Sequence, residues 1–242
     1  MYQQSEKLPF TRCGADGKLK LDQAVALMMD CCHFQELQEA EFKKFLTDHH
    51  LVIFLHSLQI DILRMPELNE TIRTAVKIYG AKSIYGLRRF TIRDENDKIC
   101  LIGNGTGAFF DLQAQKAVKY DPSLFPVKFD EAEEMEVLPR KIPLPDSPAV
   151  MADRVTIRPS WLDPNGHLTS SEFIALASDM LKADFSFNRV RIEYKRQAKP
   201  GESIRCMVQY ADDGRAVVDL KNSEALSCAV VEFSTASGQS NS

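Results

Sequence analysis

The chain has 242 residues, of which 44% are hydrophobic and 26% charged, and its formal net charge at pH 7 is −4. This composition is that of a globular protein and excludes a disordered chain, and the lack of a basic excess argues against general nucleic-acid binding. No stretch approaches the roughly 20 apolar residues of a membrane span. The first residues show no secretion signal, so we expect a cytoplasmic protein without membrane insertion.

In chain order, the sequence predicts two units of the same kind, each a helix followed by several strands. In the first unit, Asp22 precedes an apolar run at helical spacing, and strands rich in β-branched and aromatic residues follow between 52 and 110. The second unit opens with a capping box, Thr169 and Glu172, and its strands follow between 189 and 233. This order indicates the α+β class, with an antiparallel sheet wrapped around a long helix in each unit.

The stretch between the two units is acidic and contains six prolines, which cannot donate to a strand ladder or continue a helix. We therefore predict an N-terminal domain at 1–120, a linker at 121–150 and a C-terminal domain at 151–242. Two segments repeat across this linker. Residues 60–64 align with 192–196, residues 16–19 align with 165–168, and the first unit holds 17 extra residues in between.

The segment from Trp161 to Leu168 places Asp163, Asn165 and His167 within five residues, directly before the predicted helix start. An imidazole, a carboxylate and the free N–H groups of a helix start suit acyl transfer to water. The alternative is a plain turn stabilised by Asp and Asn side chains. Zinc spacing, a phosphate-binding loop and a dinucleotide fingerprint are all missing, so we expect no metal and no cofactor.

These motifs resemble the acyl–acyl-carrier-protein thioesterases of plastids and bacteria, which contain two hotdog domains in one chain. In this family the second hotdog domain carries Asp-x-Asn-x-His at the start of its helix, and Asp163, Asn165 and His167 match it. Residues 192–196, Ile-Glu-Tyr-Lys-Arg, are similar to the family's Leu-Glu-Tyr-Arg-Arg. In the first unit, residues 56–61 and 88–94 also fit the family.

The resemblance implies hydrolysis of a fatty acyl-acyl carrier protein with release of free fatty acid, which ends fatty acid synthesis. It implies the catalytic residues Asp163, Asn165, His167 and Gln197. It further implies that the first unit is a non-catalytic copy that helps to form the acyl pocket, and that substrate is bound by Met28, Met29, Cys32, Thr169 and Ser170. The partner that the resemblance implies is an acyl carrier protein, and a homodimer is an open alternative to a single chain.

The chain departs from the family at Gln197 and Ala198, where the family has Glu and Cys. A cysteine nucleophile and a glutamate base are therefore unavailable, and a mechanism based on water remains. Strand alternation places Gln197 on the same face as Arg189 and Arg191, so it reaches the site only if that face borders the site or if a bulge turns the chain.

Three alternative functions stay open: a non-catalytic acyl-binding protein, an acyl-CoA thioesterase and a dehydratase of the same fold. The basic stretch formed by Arg189, Arg191, Lys195 and Lys199 is either a docking surface for an acidic carrier or a solvated strand face.

Overall fold

The computed structural model describes residues 1–119, 121, 123 and 127–236. It divides into two compact units: Met1–Leu58 with Ile62–Val137, and Gln59–Asp61 with the chain from Leu138 onward. The division lies inside the segment predicted as a linker. Within the described ranges, no helix has both the length and the apolar character that crossing a membrane requires.

The first unit is an antiparallel sheet with a long helix against it. Its strands lie in the order β1-β3-β4-β5-β2, with β6 paired to β5. The elements are β1 (Tyr2–Lys7), α1 (Leu21–Gln38), α2 (Ala40–Asp48), β2 (Leu51–Ile62), β3 (Thr71–Lys82), β4 (Tyr85–Arg93), β5 (Ile99–Asp111) and β6 (Lys116–Ala117). Helix α1 buries a stripe at helical spacing, namely Ala24, Met28, Cys31 and Gln35. The Cys31 thiol lies against the Thr74 carbonyl of β3.

The 17 extra residues of the first unit form α2 and the beginning of β2, where the sequence predicted additional chain but no helix. Phe42 is the buried residue of α2 and is 2% exposed. The rest of α2 is half-buried or exposed, with charged residues on both sides of Phe42. Helix α2 is thus a surface addition to the first unit that the second unit lacks.

The second unit repeats the architecture with a shorter helix. Its elements are β7 (Val150–Thr156), α3 (Ser170–Ser178), β8 (Arg189–Tyr194), β9 (Ser203–Tyr210), β10 (Ala216–Lys221) and β11 (Ser227–Ser234), and the strand order is β8-β11-β10-β9-β7. Apolar residues at helical spacing predict a helix that continues through Met180 and Leu181, but α3 ends before these two residues, at Ser178. The N–H groups of those two residues bond back three residues instead of four, to Ala177 and Ser178, and this tightens the chain into a turn. The α+β class is confirmed.

Each unit contains the same set of internal backbone hydrogen bonds at the aligned positions, which supports the internal repeat. The Leu19 N–H donates to the Pro66 carbonyl at 2.8 Å, and the Leu168 N–H donates to the Ala198 carbonyl at 3.5 Å. Three further N–H to carbonyl bonds of the first unit have a counterpart in the second. Lys20 to Arg12 corresponds to Thr169 to Trp161; Leu8 to Glu70 corresponds to Ile157 to Glu202; and Asn69 to Leu8 corresponds to Gly201 to Ile157. The same local structure is therefore built twice from different side chains.

Residues 138–147, which we call the strap, pack across the second unit and are held by polar side chains of its sheet. Arg191 donates to the Pro139 carbonyl at 2.8 Å, and Glu193 accepts from the Ile142 N–H at 3.2 Å. The Gln209 amide donates to the carbonyls of Pro145 and Ser147. Ile142 packs with Val217 and Val230 on the same sheet face. The prolines therefore prevent regular structure here without leaving the segment unpacked.

The basic stretch predicted along β8 is not a continuous docking surface. Arg189 is 4% exposed and forms a bidentate ion pair with Asp61, with N–O distances of 2.6 and 2.7 Å. Arg191 is 8% exposed and pairs with Glu232 at 2.8 Å. A strand face covered by the strap must neutralise its charges internally, and these two arginines do so. Lys195 and Lys199 remain exposed.

Candidate active site

The segment that carries the predicted catalytic residues is a tight turn with its own hydrogen bonds. A short 3-10 helix at Pro159–Trp161 leads into it, and Leu162 and Leu168 close it as an antiparallel bridge. The Asp163 N–H donates to the His167 carbonyl at 2.8 Å. Gly166 has a φ of +78°, a left-handed conformation that a residue with a Cβ adopts only with strain.

The Asp163 carboxylate holds the backbone of this turn. Its Oδ1 atom accepts from the N–H of Asn165 at 2.9 Å and from the N–H of His167 at 3.0 Å. No hydrogen bond joins this carboxylate to the His167 imidazole, and across the described part of the chain that imidazole has none. Asp163 therefore orients His167 through the main chain, because a side chain four residues earlier in a tight turn reaches the backbone first.

The helix start beside this turn is capped as the sequence predicts. The Thr169 side chain accepts from the Glu172 N–H at 3.4 Å, and its hydroxyl lies 3.1 Å from that of Ser171. The Ser170 carbonyl accepts from the hydroxyl of the half-buried Tyr194 at 3.2 Å, and desolvation raises the pKa of that hydroxyl. Thr169 and Ser170 thus lie at the end of α3 where N–H groups and the helix dipole favour negative charge.

The segment containing Gln197 reaches the turn by way of a bulge. The N–H groups of Lys195 and Arg196 both donate to the Cys228 carbonyl, at 2.8 and 3.0 Å, so two residues oppose one and the strand alternation is broken. Beyond the bulge, Gln197 is exposed and Ala198 is buried against Leu168. Of the two routes that the sequence left open for Gln197, the structure has the bulge.

The other predicted substrate-binding residues lie in the first unit, on α1. Met28 is fully buried, whereas Met29 and Cys32 are half-buried. The Cys32 thiol contacts the guanidinium of Arg88, which also donates to Glu36 at 2.7 Å. Sequence reasoning missed Arg88 and Glu36. Alternation along β4 places Arg88 on one face with Phe90, but which face meets the helix depends on pairing that no local pattern shows.

A cavity of about 460 Å³ in the first unit lies beside these groups. It is lined by α1 and by the extra helix α2, and its walls combine apolar residues, Leu46 and Leu51, with polar ones, His33 and Glu36. A second depression, of about 690 Å³, lies on the same unit over Tyr79 and Arg89 and is bordered by acidic residues near Glu133. The first has the mixed lining that small-ligand sites show.

A cluster of possible metal ligands in the first unit is accounted for by an arginine. Ligand atoms of Glu70, Asp94 and Cys100 lie within 4.8 Å of one another. The Arg64 guanidinium forms ion pairs with both carboxylates. Because Arg64 already pairs with both acids, the cluster is an ion-pair network, and the chemistry expected of this chain does not involve it.

The family model of the acyl-ACP thioesterase N-terminal domain matches residues 1–123, which is more than half of the chain. The chain therefore belongs to the acyl-ACP thioesterase family, a family of thioester hydrolases. The family resemblance that the sequence motifs indicate is confirmed. A comparison with curated proteins found no significant match.

Solved structures share the whole fold at low sequence identity. An acyl-ACP thioesterase from Bacteroides thetaiotaomicron superposes with a TM-score of 0.84 and 16% identity over 96% of both chains. The 12:0-ACP thioesterase from Umbellularia californica gives a TM-score of 0.75 and 13% identity, also over 96% of both chains. At such identities the likeness establishes the fold, which is the hotdog architecture that the resemblance implies.

Proposed function

We propose that this protein hydrolyses the thioester of a fatty acyl-acyl carrier protein and releases the free fatty acid. The observation that carries the proposal is the turn before α3, where the Asp163 carboxylate fixes the backbone of His167 directly ahead of the helix N-cap. Family membership supports the same reaction class. A base, an anion-stabilising helix end and an acceptor that orders the turn are the parts that such a hydrolysis needs.

In the proposed reaction, the His167 imidazole takes a proton from water while the water oxygen attacks the thioester carbon. The carbonyl oxygen gains negative charge, which the Asn165 amide and the N–H groups at the start of α3 stabilise. Gln197 holds the water by hydrogen bonds. When the intermediate collapses, the carbon–sulfur bond breaks and the imidazolium returns its proton to the departing thiolate. The products are a fatty acid and the free thiol of the carrier.

Asp163 is a positioning residue in this scheme, because it acts on His167 through the main chain. Its negative charge also favours the imidazolium that forms during the reaction, since opposite charges attract. Thr169 and Ser170 border the thioester at the helix end. Met28, Met29 and Cys32 of α1 contact the acyl chain, for which the flexible methionine side chains are well suited.

The test is hydrolysis of acyl carrier protein thioesters by the purified chain, followed as release of free fatty acid. His167→Ala should lower kcat by about a hundredfold to ten-thousandfold, the usual contribution of a general base. Lys18→Ala is the matched control, because Lys18 occupies the equivalent turn position of the first unit, and its rate should equal that of the wild type. Equal rates for His167→Ala and the wild type would exclude the proposed site.

A second candidate, an acyl-binding protein without catalysis, is favoured by one observation: an exposed glutamine, Gln197, stands where the family has a glutamate. It predicts saturable binding of acyl carrier protein thioesters without turnover at any chain length. The same assay with coenzyme A thioesters shows which carrier the protein prefers. Faster turnover of the coenzyme A thioesters than of the carrier protein thioesters supports an acyl-CoA thioesterase.

A further inference from the structure

A partly buried ion pair joins the sheet of the first unit to its long helix, with side chains that are 10% exposed at Arg88 and 27% exposed at Glu36. Arg88 of β4 is 8% exposed, and its guanidinium donates to the Glu36 carboxylate of α1 at 2.7 Å and contacts the Cys32 thiol. Burial lowers the pKa of Arg88 to about 10, so the group still carries its charge at neutral pH. A charge kept in such a place is costly and calls for a functional explanation.

The surroundings of this pair are polar as well. Gln35, the residue before Glu36, is 2% exposed, and within the described part of the chain both polar atoms of its amide have no hydrogen-bond partner. Glu36 itself lines the cavity of about 460 Å³ between α1 and α2. The interior therefore changes from apolar around Met28 to polar two turns further along α1.

We propose that the Arg88–Glu36 pair ends the acyl pocket and restricts the enzyme to shorter acyl chains. The inference rests on the proposed function, in particular on the assignment of Cys32 to the acyl pocket. A hydrocarbon tail that extended past Cys32 would have to displace or desolvate the guanidinium, and methylene groups offer it no hydrogen bond in return. The residues of α1 that are buried before Cys32 carry no charged or amide side chain, and a shorter tail would pack among them: Ala24, Val25, Leu27, Met28 and Cys31.

The experiment measures kcat/KM of the purified full chain for a series of saturated acyl carrier protein thioesters from hexanoyl to stearoyl. In the wild type, kcat/KM should fall steeply beyond an optimum of short or medium length. Arg88→Met should move that optimum to longer chains and raise kcat/KM for them by about tenfold or more, the selectivity that small changes of pocket length produce.

Arg89→Met is the matched control. Arg89 is the neighbouring residue of β4 and is equally buried, at 5% exposed, but it lies on the opposite strand face, against Tyr79 and Met135. Its removal costs a buried arginine without opening the pocket, so the length profile should keep its wild-type shape even if the protein loses stability.

Glu36 is the residue that Arg88→Met leaves behind. Burial already raises the pKa of Glu36 to about 7, so its carboxyl can take up a proton when the guanidinium is removed. The double variant Arg88→Met/Glu36→Gln avoids the charge altogether and serves if the single variant does not fold. An unchanged length profile in either folded variant would overturn the proposal.

The chain-length profile of the wild type also tests the proposal without any variant. If it hydrolyses stearoyl and octanoyl thioesters at equal kcat/KM, the pair does not limit chain length and the inference is wrong, while the proposed function stands. If it hydrolyses no thioester of the series, the proposed function fails, and this inference fails with it.

Discussion

His167 and Lys18 occupy the same position in two turns with the same backbone conformation, so the two turns differ at this position only in the side chain. In both copies a glycine with positive φ precedes the position, at Gly166 and Gly17, with φ values of +78° and +75°. In the first copy, the Asp16 carboxylate accepts from the Lys18 N–H at 3.0 Å. The turn conformation therefore does not require a histidine, and the proposed catalytic role of the second turn depends on the imidazole.

Two substitutions of Asp163 separate its contribution to the stability of the turn from the contribution of its charge to catalysis. Asp163→Ala removes the acceptor of two backbone N–H groups and should destabilise the protein by about 1–2 kcal/mol. Asp163→Asn keeps an acceptor oxygen, so its free energy of unfolding should stay within about 0.5 kcal/mol of the wild type. Denaturant unfolding measures both values.

The kinetics of the same two variants give the electrostatic part. If the charge of Asp163 assists the imidazolium, Asp163→Asn should lower kcat by about tenfold or more at nearly unchanged stability. A kcat equal to that of the wild type in Asp163→Asn would leave Asp163 with the turn-forming role alone.

At this scale the sequence predicts caps and turns well and side-chain partners poorly. The N-cap at Thr169 follows from residue types within four positions, because a helix cap is a local structure. The Asp163 carboxylate accepts from backbone N–H groups and not from the imidazole, because N–H donors of the same turn compete for its oxygen. The Arg88–Glu36 pair joins residues 52 positions apart, and no local rule reaches that distance.

The elements repeat with different electrostatics. Arg64 and Arg196 follow equivalent strands, and Glu70 and Glu202 follow in the same register. Arg64 forms ion pairs with Glu70 and Asp94, whereas Arg196 donates to the Ser227 carbonyl. One position in the repeat thus carries an ion-pair network in the first unit and a hydrogen bond to the main chain in the second.

This difference predicts how the two arginines affect stability in acid. The hydrogen bond from Arg64 lowers the pKa of Glu70 and of Asp94 below their ordinary values of 4.5 and 3.8. A lowered folded-state pKa means that the stabilisation is present above those values and is lost as the pH falls through the folded-state pKa. Arg64→Met should therefore be most destabilising near neutral pH and nearly silent in acid.

The measurement is the free energy of unfolding of wild type and variant from pH 3 to pH 7, in which range the ordinary pKa values of Glu70 and Asp94 lie. Arg196→Met is the control, and its effect on stability should depend less on pH. A constant difference between wild type and Arg64→Met across the range would show that the arginine acts by packing.

The glycines of the two turns give a prediction about backbone strain. A Cβ added at Gly17 or Gly166 meets nothing within 4 Å, so only the positive φ opposes a side chain. Each substitution to alanine should cost about 1 kcal/mol of unfolding free energy, and the two costs should be alike. Thermal unfolding checks this, and a cost at Gly166 several times that at Gly17 would contradict the equivalence of the turns.

For the whole molecule, the sequence predicts the α+β class and the repeat because periodicity and alignment are distributed along the chain. The course of residues 121–150 could not be predicted, since a proline-rich segment has no periodicity to show which surface it follows. Its anchors come from far along the chain. Glu133 pairs with Lys77 and Arg93 in the first unit, and the strap is held by Arg191 and Gln209 in the second.

The strap supplies the prediction at this scale. Gln209 is 8% exposed, and its amide donates to the Pro145 carbonyl at 2.8 Å and to the Ser147 carbonyl at 2.5 Å. Gln209→Ala leaves both carbonyls without this donor and should cost about 1–3 kcal/mol of stability. Because the strap would then detach locally more often than the unit unfolds, proteolysis within 138–147 should accelerate.

Gln3→Ala, at an exposed position, is the control and should be cleaved like the wild type. Cleavage of Gln209→Ala at the wild-type rate would mean that the packing of Ile142 against Val217 and Val230 holds the strap without the amide.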